Sequence, residues 1–265
     1  MLILGIILTS CKTPIPPHIE IPPTPPELLF TGMRADNPME LYLDFLLDVD
    51  IPGFNLEMVE LESWQVLMKG REASSAFNLA IEENSVFLKM DIARLIALDL
   101  APEEQYNVNL ILLLSHEAYP DTVEVSGHAD FPGVLAPDFT ILNIAILQAE
   151  LVNTRFRVGM RIDNPNPFPV ELSAFSYELY GNGRFWAEGM ERNLIQIPGK
   201  AAVEGHLFMM MNFIDMDRNL LDQIINLENV NYRFAGEAQV STGIEYLPTF
   251  HTEFNLSGYS RVYGD

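Results

Sequence analysis

A single cysteine, Cys11, in 265 residues excludes a disulfide within the chain and a thiolate metal cluster. Basic residues are scarce as well: 15 Lys and Arg stand against 37 Asp and Glu, for a formal net charge of -22. Such a chain repels nucleic-acid phosphates, so nucleic acid is not an expected partner. No HExxH, Gly-x-Ser-x-Gly, Walker or Gly-x-Gly-x-x-Gly pattern occurs, and His18, His116, His128, His206 and His251 form no closely spaced ligand pair. The D-x-[DN]-x-[DN]-G loop of a calcium site is also missing. These absences predict a non-enzymatic protein with no cofactor and no metal.

What the chain does contain begins with MLILGIILTS, residues 1–10, an uncharged apolar run too short to span a bilayer but long enough for the core of a secretion signal. It ends in Leu8-Thr9-Ser10-Cys11, which resembles the bacterial lipobox. That resemblance implies cleavage before Cys11, acylation of its thiol, and a membrane partner held through buried acyl chains in the cell envelope. No Lys or Arg precedes Cys11, as one ordinarily does in a signal; the rival reading is an unprocessed apolar N-terminus. Residues 11–26 read as a stiff spacer, because KTPIPPHIEIPPTPPE (12–27) places seven prolines in sixteen residues and favours extended polyproline II. A ligand for a proline-recognition module is the alternative.

Beyond the spacer the pattern is that of short alternating strands. Phe156, Val158, Met160 and Ile162 fall on one face of a segment whose other face carries Arg155, Arg157 and Arg161. Phe175, Tyr177 and Leu179 alternate likewise, and Gly181-Asn182-Gly183 supplies a tight hairpin before RFWAEG. At a constant offset of 113, residues 43–71 superpose on 156–184, with Asp50 on Asp163, Pro52 on Pro165, Ser63 on Ser176 and Gly70 on Gly183. Further on, SGHADF (126–131) matches AGEAQV (235–240), and Pro137-Asp138-Phe139 matches Pro248-Thr249-Phe250. One helix is predicted in each copy, over 91–100 and 215–227, with an aspartate placed to cap each. The fold class is therefore mainly β: two tandem antiparallel sandwiches, 27–137 and 138–265, each with one short helix.

The segment RIDNPNPFPVEL, 161–172, interrupts this pattern with Pro165, Pro167 and Pro169. Proline cannot donate to a sheet ladder, so the segment is an edge, a crossover or a bulge. Together with the hairpin and the downstream Ile197-Pro198-Gly199 turn, it resembles the late embryogenesis abundant type-2 family, also called the water-stress and hypersensitive-response domain. The resemblance implies an immunoglobulin-like or fibronectin-like sandwich whose NPNPFP-like segment turns a corner, with asparagine side chains capping freed amides, and no catalytic residues. It also implies stress protection, or lipid handling as the alternative function.

Two apolar runs raise the question of a ligand cavity. Phe208-Met209-Met210-Met211 and LILLL (110–114) are apolar on both alternating faces, which fits a doubly buried central strand better than a lipid pocket. The last candidate is a charged interface. Asp44, Asp48 and Asp50 of the first copy align with Arg157, Arg161 and Asp163 of the second, with Arg155 beyond, so the arginine face is expected to meet acid. That acid would come from the partner domain or a neighbouring molecule; a merely solvated surface is the rival.

Overall fold

A computed structural model describes residues 26–48, 59–100, 104–115, 122–149, 153–212 and 229–264. The signal run, Cys11, the spacer up to residue 25, Asp50, the 215–227 helix candidate, His18 and His116 lie outside these residues.

The first half contains β1 (Glu27–Asn37), β2 (Glu40–Asp48), β3 (Glu60–Met68), β4 (Arg71–Glu72), β5 (Phe77–Glu82), β6 (Ser85–Asp91), β7 (Gln105–Ser115) and β8 (Val123–Pro132). They form two four-stranded sheets, β1-β2-β6-β5 and β4-β3-β7-β8. Strand β2 shows why the sheets face one another: Leu41, Leu43, Phe45 and Leu47 are buried while the residues between them are not. Period-two alternation places one hydrophobic row on the inner face.

The second half contains β9 (Asp138–Ala149), β10 (Asn153–Asp163), β11 (Val170–Gly181), β12 (Arg184–Glu191), β13 (Ile195–Ile197), β14 (Ala202–Asn212), β15 (Asn229–Ile244) and β16 (Leu247–Gly264). Its two layers, β9-β10-β14 and β12-β11-β15-β16, are joined because the end of β16 pairs in parallel with β9. Inside, Phe254 lies 4.7 Å from Phe139, 5.3 Å from Phe175 and 5.4 Å from Phe234, ring centre to ring centre. Each such pair adds about 0.5–1.5 kcal/mol to what burial of the rings already contributes.

Strand pairing follows the same order in both halves. β1-β2 corresponds to β9-β10, β2-β6 to β10-β14, β3-β4 to β11-β12, β3-β7 to β11-β15, and β7-β8 to β15-β16, all antiparallel. The offset of 113 is consistent with this for the described residues 43–48 and 59–71, and both hairpins turn on left-handed pairs, Lys69-Gly70 and Asn182-Gly183. The later sequence match is corrected. SGHADF lies in β8 and AGEAQV in β15, whereas pairing makes β16 the counterpart of β8. Alternating small residues are shared by any strand whose inner face is crowded: a Cβ on Gly127 would meet Leu28 and Phe45, and one on Gly236 would meet Phe254. The match reported crowding, not position.

The first predicted helix is present but shorter. α1 spans Ile92–Ala97, and the Asp91 side chain accepts from the Arg94 amide at 3.2 Å as its N-cap. Asp99, at φ 57°, turns the chain out of it.

Both apolar runs are also corrected. β14 is an edge strand with Leu207 and Met209 buried, while Phe208 and Met210 are 46 % and 57 % exposed. In β7, Leu110, Leu112 and Leu114 are buried, but Ile111 and Leu113 face an open cleft. Each strand has one layer to pack against, so its second apolar face remains accessible.

Between the halves, residues 133–137 connect β8 to β9. Tyr246 packs against both hydrophobic cores; its phenol donates to the Pro132 carbonyl at 2.5 Å and its own carbonyl accepts from the Ala35 amide at 3.1 Å. Lys200 meets Glu104 across the same junction at 2.6 Å.

Candidate functional site

The proline segment is a crossover. It leaves β10 in one layer of the second half and enters β11 in the other. Asn164 and Asn166 are almost fully buried, and buried amides require partners. The Asn164 carbonyl oxygen accepts from the Asn166 backbone amide at 3.0 Å, the expected cap, while its NH2 donates to the carbonyls of Phe168, Ile197 and Pro198 at 2.8–3.2 Å. Asn166 reaches the connecting segment, accepting from the Leu135 amide at 2.7 Å and donating to the Leu135 carbonyl at 2.8 Å. The opposing turn comes so close that a Cβ on Gly199 would stand 2.6 Å from the Pro167 carbonyl carbon. All of these groups hold backbone in place, and none is presented to a substrate.

The charged interface residues are positioned as follows. Asp44 is half-buried and pairs with Arg34 of the neighbouring strand at 3.5 Å, while Asp48 is exposed at the end of β2. Arg161 donates from Nη2 and Nε to Asp163 at 2.7–3.1 Å, two residues along its own strand. The pairing depresses the Asp163 carboxyl below its ordinary range and raises the Arg161 guanidinium. Arg155 lies with its guanidinium carbon 4.9 Å from the Phe208 ring centre, and Arg157 is half-buried beside it on the outer face of β10. Asp44 and Arg161 thus have partners within their own sheets.

A cleft of about 920 Å³ opens on the outer face of the β12-β11-β15-β16 layer. Cross-strand register explains its walls. Glu178 stands opposite Glu188, and Glu237 opposite Glu253, in two outward rows; between them the inward row of Gly189, Tyr177, Gly236 and Phe254 leaves only backbone as floor. Met190 adds an apolar side chain, 59 % exposed. Sequence reading missed this cleft because the four glutamates come from four strands. The only signal was Glu at outward positions, which is common on an acidic chain.

On the first half, His128 sits in an exposed polar group, its ring nitrogens 2.7 Å from Asn109 Oδ1 and 2.5 Å from Asp130 Oδ2. His128 holds the Asp130 carboxyl below its ordinary value. A second, open cleft of about 390 Å³ is lined by Trp64, Ile111, Leu113 and Glu124, with Glu72 held by Gln65 and Ser74. Among the described residues, no three His, Cys, Asp or Glu side chains gather closely enough to hold a metal ion.

No curated protein matches the chain. Among solved structures, a protein from Archaeoglobus fulgidus is 17 % identical, with 47 % of this chain and 97 % of that one covered and a TM-score of 0.28. A protein from Arabidopsis thaliana solved in solution is 11 % identical over 51 % of this chain and 87 % of that one, with a TM-score of 0.36. The Late embryogenesis abundant protein family model matches residues 160–253, a segment that begins just before the asparagine corner and holds the hairpin, the Gly199 turn and most of the glutamate cleft.

Proposed function

We propose that the chain is a non-enzymatic lipoprotein of a bacterial cell envelope that displays two modules of the late embryogenesis abundant type at a membrane surface, for binding or stress protection. The observation that carries this reading is the family match over 160–253, which opens on a corner whose polar side chains are engaged with backbone. The common pairing order supports treating 27–137 as a second module of the same kind as 138–265. Acylated Cys11 would supply the tether and the proline segment the spacer.

Carriage of a lipid is less well supported, because stacked rings occupy the described core of the second half. Native mass spectrometry of purified protein separates the two functions: carriage requires a co-purifying lipid.

The anchor is tested by detergent phase partitioning of whole-cell extracts. The wild type is expected in the detergent phase, and Cys11→Ser in the aqueous phase. Unchanged partitioning overturns the tether.

A further inference from the structure

We propose that the second module associates head to tail with a second copy of this chain, an arginine and aromatic ridge of one copy entering the glutamate cleft of the next. The ridge lies on the outer face of β10 and β14. There Arg157 stands opposite Phe208 and Arg155 opposite Met210, so the four side chains share one face. Phe208 and Met210 project into solvent, and the Arg155 guanidinium lies over the Phe208 ring. Exposed apolar side chains interleaved with guanidinium groups suit a partner that offers carboxylates around an apolar surface.

The chain carries that complement on its other layer. The cleft of about 920 Å³ sets Glu178, Glu188, Glu237 and Glu253 around Met190 and the backbone of Gly236. Charge complementarity selects this occupant. At a net charge of -22, two adjacent arginines are a rare feature of the surface, and acid is what another copy presents. An anionic bilayer fits less well, since Glu204 stands opposite Arg161 and Asp163 already engages it. Ridge and cleft belong to opposite layers of one sandwich, so a single copy cannot join them. The contact is heterologous and leaves a free ridge and a free cleft at the ends of each assembly. The proposal rests on the second module alone and is independent of the Cys11 tether.

Sedimentation velocity of the full chain in a zwitterionic detergent, corrected for bound detergent, tests it. At low salt the wild type is expected to form species heavier than its 29.9 kDa protomer, and these should disperse at high salt. A ridge variant, Arg155→Glu with Phe208→Ser, and a cleft variant, Glu237→Arg with Glu253→Arg, should each remain monomeric when alone. All four positions are exposed, and unchanged circular dichroism confirms folding. Mixed together, the two variants should form a 1:1 complex that grows no further, because one retains an intact cleft and the other an intact ridge. A monomeric wild type at low salt, self-association of either variant, or failure of the mixture to pair overturns the proposal. So does a wild type that remains monomeric yet binds anionic vesicles through Arg155 and Phe208.

Discussion

The side chain of Asn166 pairs with the backbone of Leu135 as a strand would, accepting from its amide and donating to its carbonyl. A buried amide 31 residues further along the chain thus fixes the segment that connects the two halves. Asn166→Ala removes both bonds and leaves Leu135 without these partners. The expected loss is about 2 kcal/mol, the lower end of the about 1–3 kcal/mol that each unsatisfied group costs, because the Leu135 groups are part-buried. Asn166→Asp keeps the acceptor but turns its second oxygen towards the Leu135 carbonyl and Asn164 Oδ1 in a buried site, so it should be at least as destabilising as alanine. Urea unfolding followed by fluorescence ranks the three.

Gly199 and Gly205 provide a matched test of close packing. A Cβ on Gly199 would overlap the Pro167 carbonyl, which is backbone and cannot rotate away, whereas one on Gly205 meets nothing within 4 Å. Gly199→Ala is expected to destabilise by about 1–3 kcal/mol, the usual cost of overpacking. Gly205→Ala should lie within about 0.5 kcal/mol of wild type. Equal midpoints of chemical denaturation would remove the tight approach at the corner.

What was legible in the sequence depended on local rules. Proline chemistry marked the crossover at 164–169, the Asn182-Gly183 pair marked its hairpin, and Asp91 marked the start of α1. Leu135 and Tyr246 gave no such signal, because their roles arise only when distant segments meet. The same limit hid the glutamate cleft, which needs the registers of four strands. It also misdirected the reading of Phe208 and Met210: apolar alternation shows that a strand could be covered on both faces, not that a second layer exists to cover it.

Asp91 caps a helix of only six residues, too short to persist without packing and a satisfied first turn. Asp91→Ala is expected to lower stability by about 1 kcal/mol, and Asp91→Asn, which retains the acceptor, by less. Hydrogen exchange at the Arg94 amide, the group that Asp91 accepts from, should quicken in the alanine variant. Protection unchanged from the wild type would show that burial of Ile92 and Leu95 alone holds the helix.

Tyr246 should make the junction sensitive to alkali. Burial, with Tyr106 nearby, pushes its phenol well above the ordinary tyrosine value of about 10. The folded state therefore holds a proton that the unfolded chain releases first. The resulting stabilisation is complete below the unfolded value, declines as pH rises past about 10, and is lost once pH passes the raised folded value. Tyr246→Phe cannot ionise, so its stability should fall less between about pH 8 and about pH 11 than that of the wild type. At the lower pH the variant should be weaker by about 1 kcal/mol, because the Pro132 carbonyl loses the phenol as its donor. Other tyrosines, Tyr177 among them, are also raised by burial and titrate in both proteins, so the difference between the two pH profiles isolates Tyr246. Urea midpoints across that range check the prediction. Parallel profiles would mean that the phenol ionises as readily in the folded junction as in the unfolded chain.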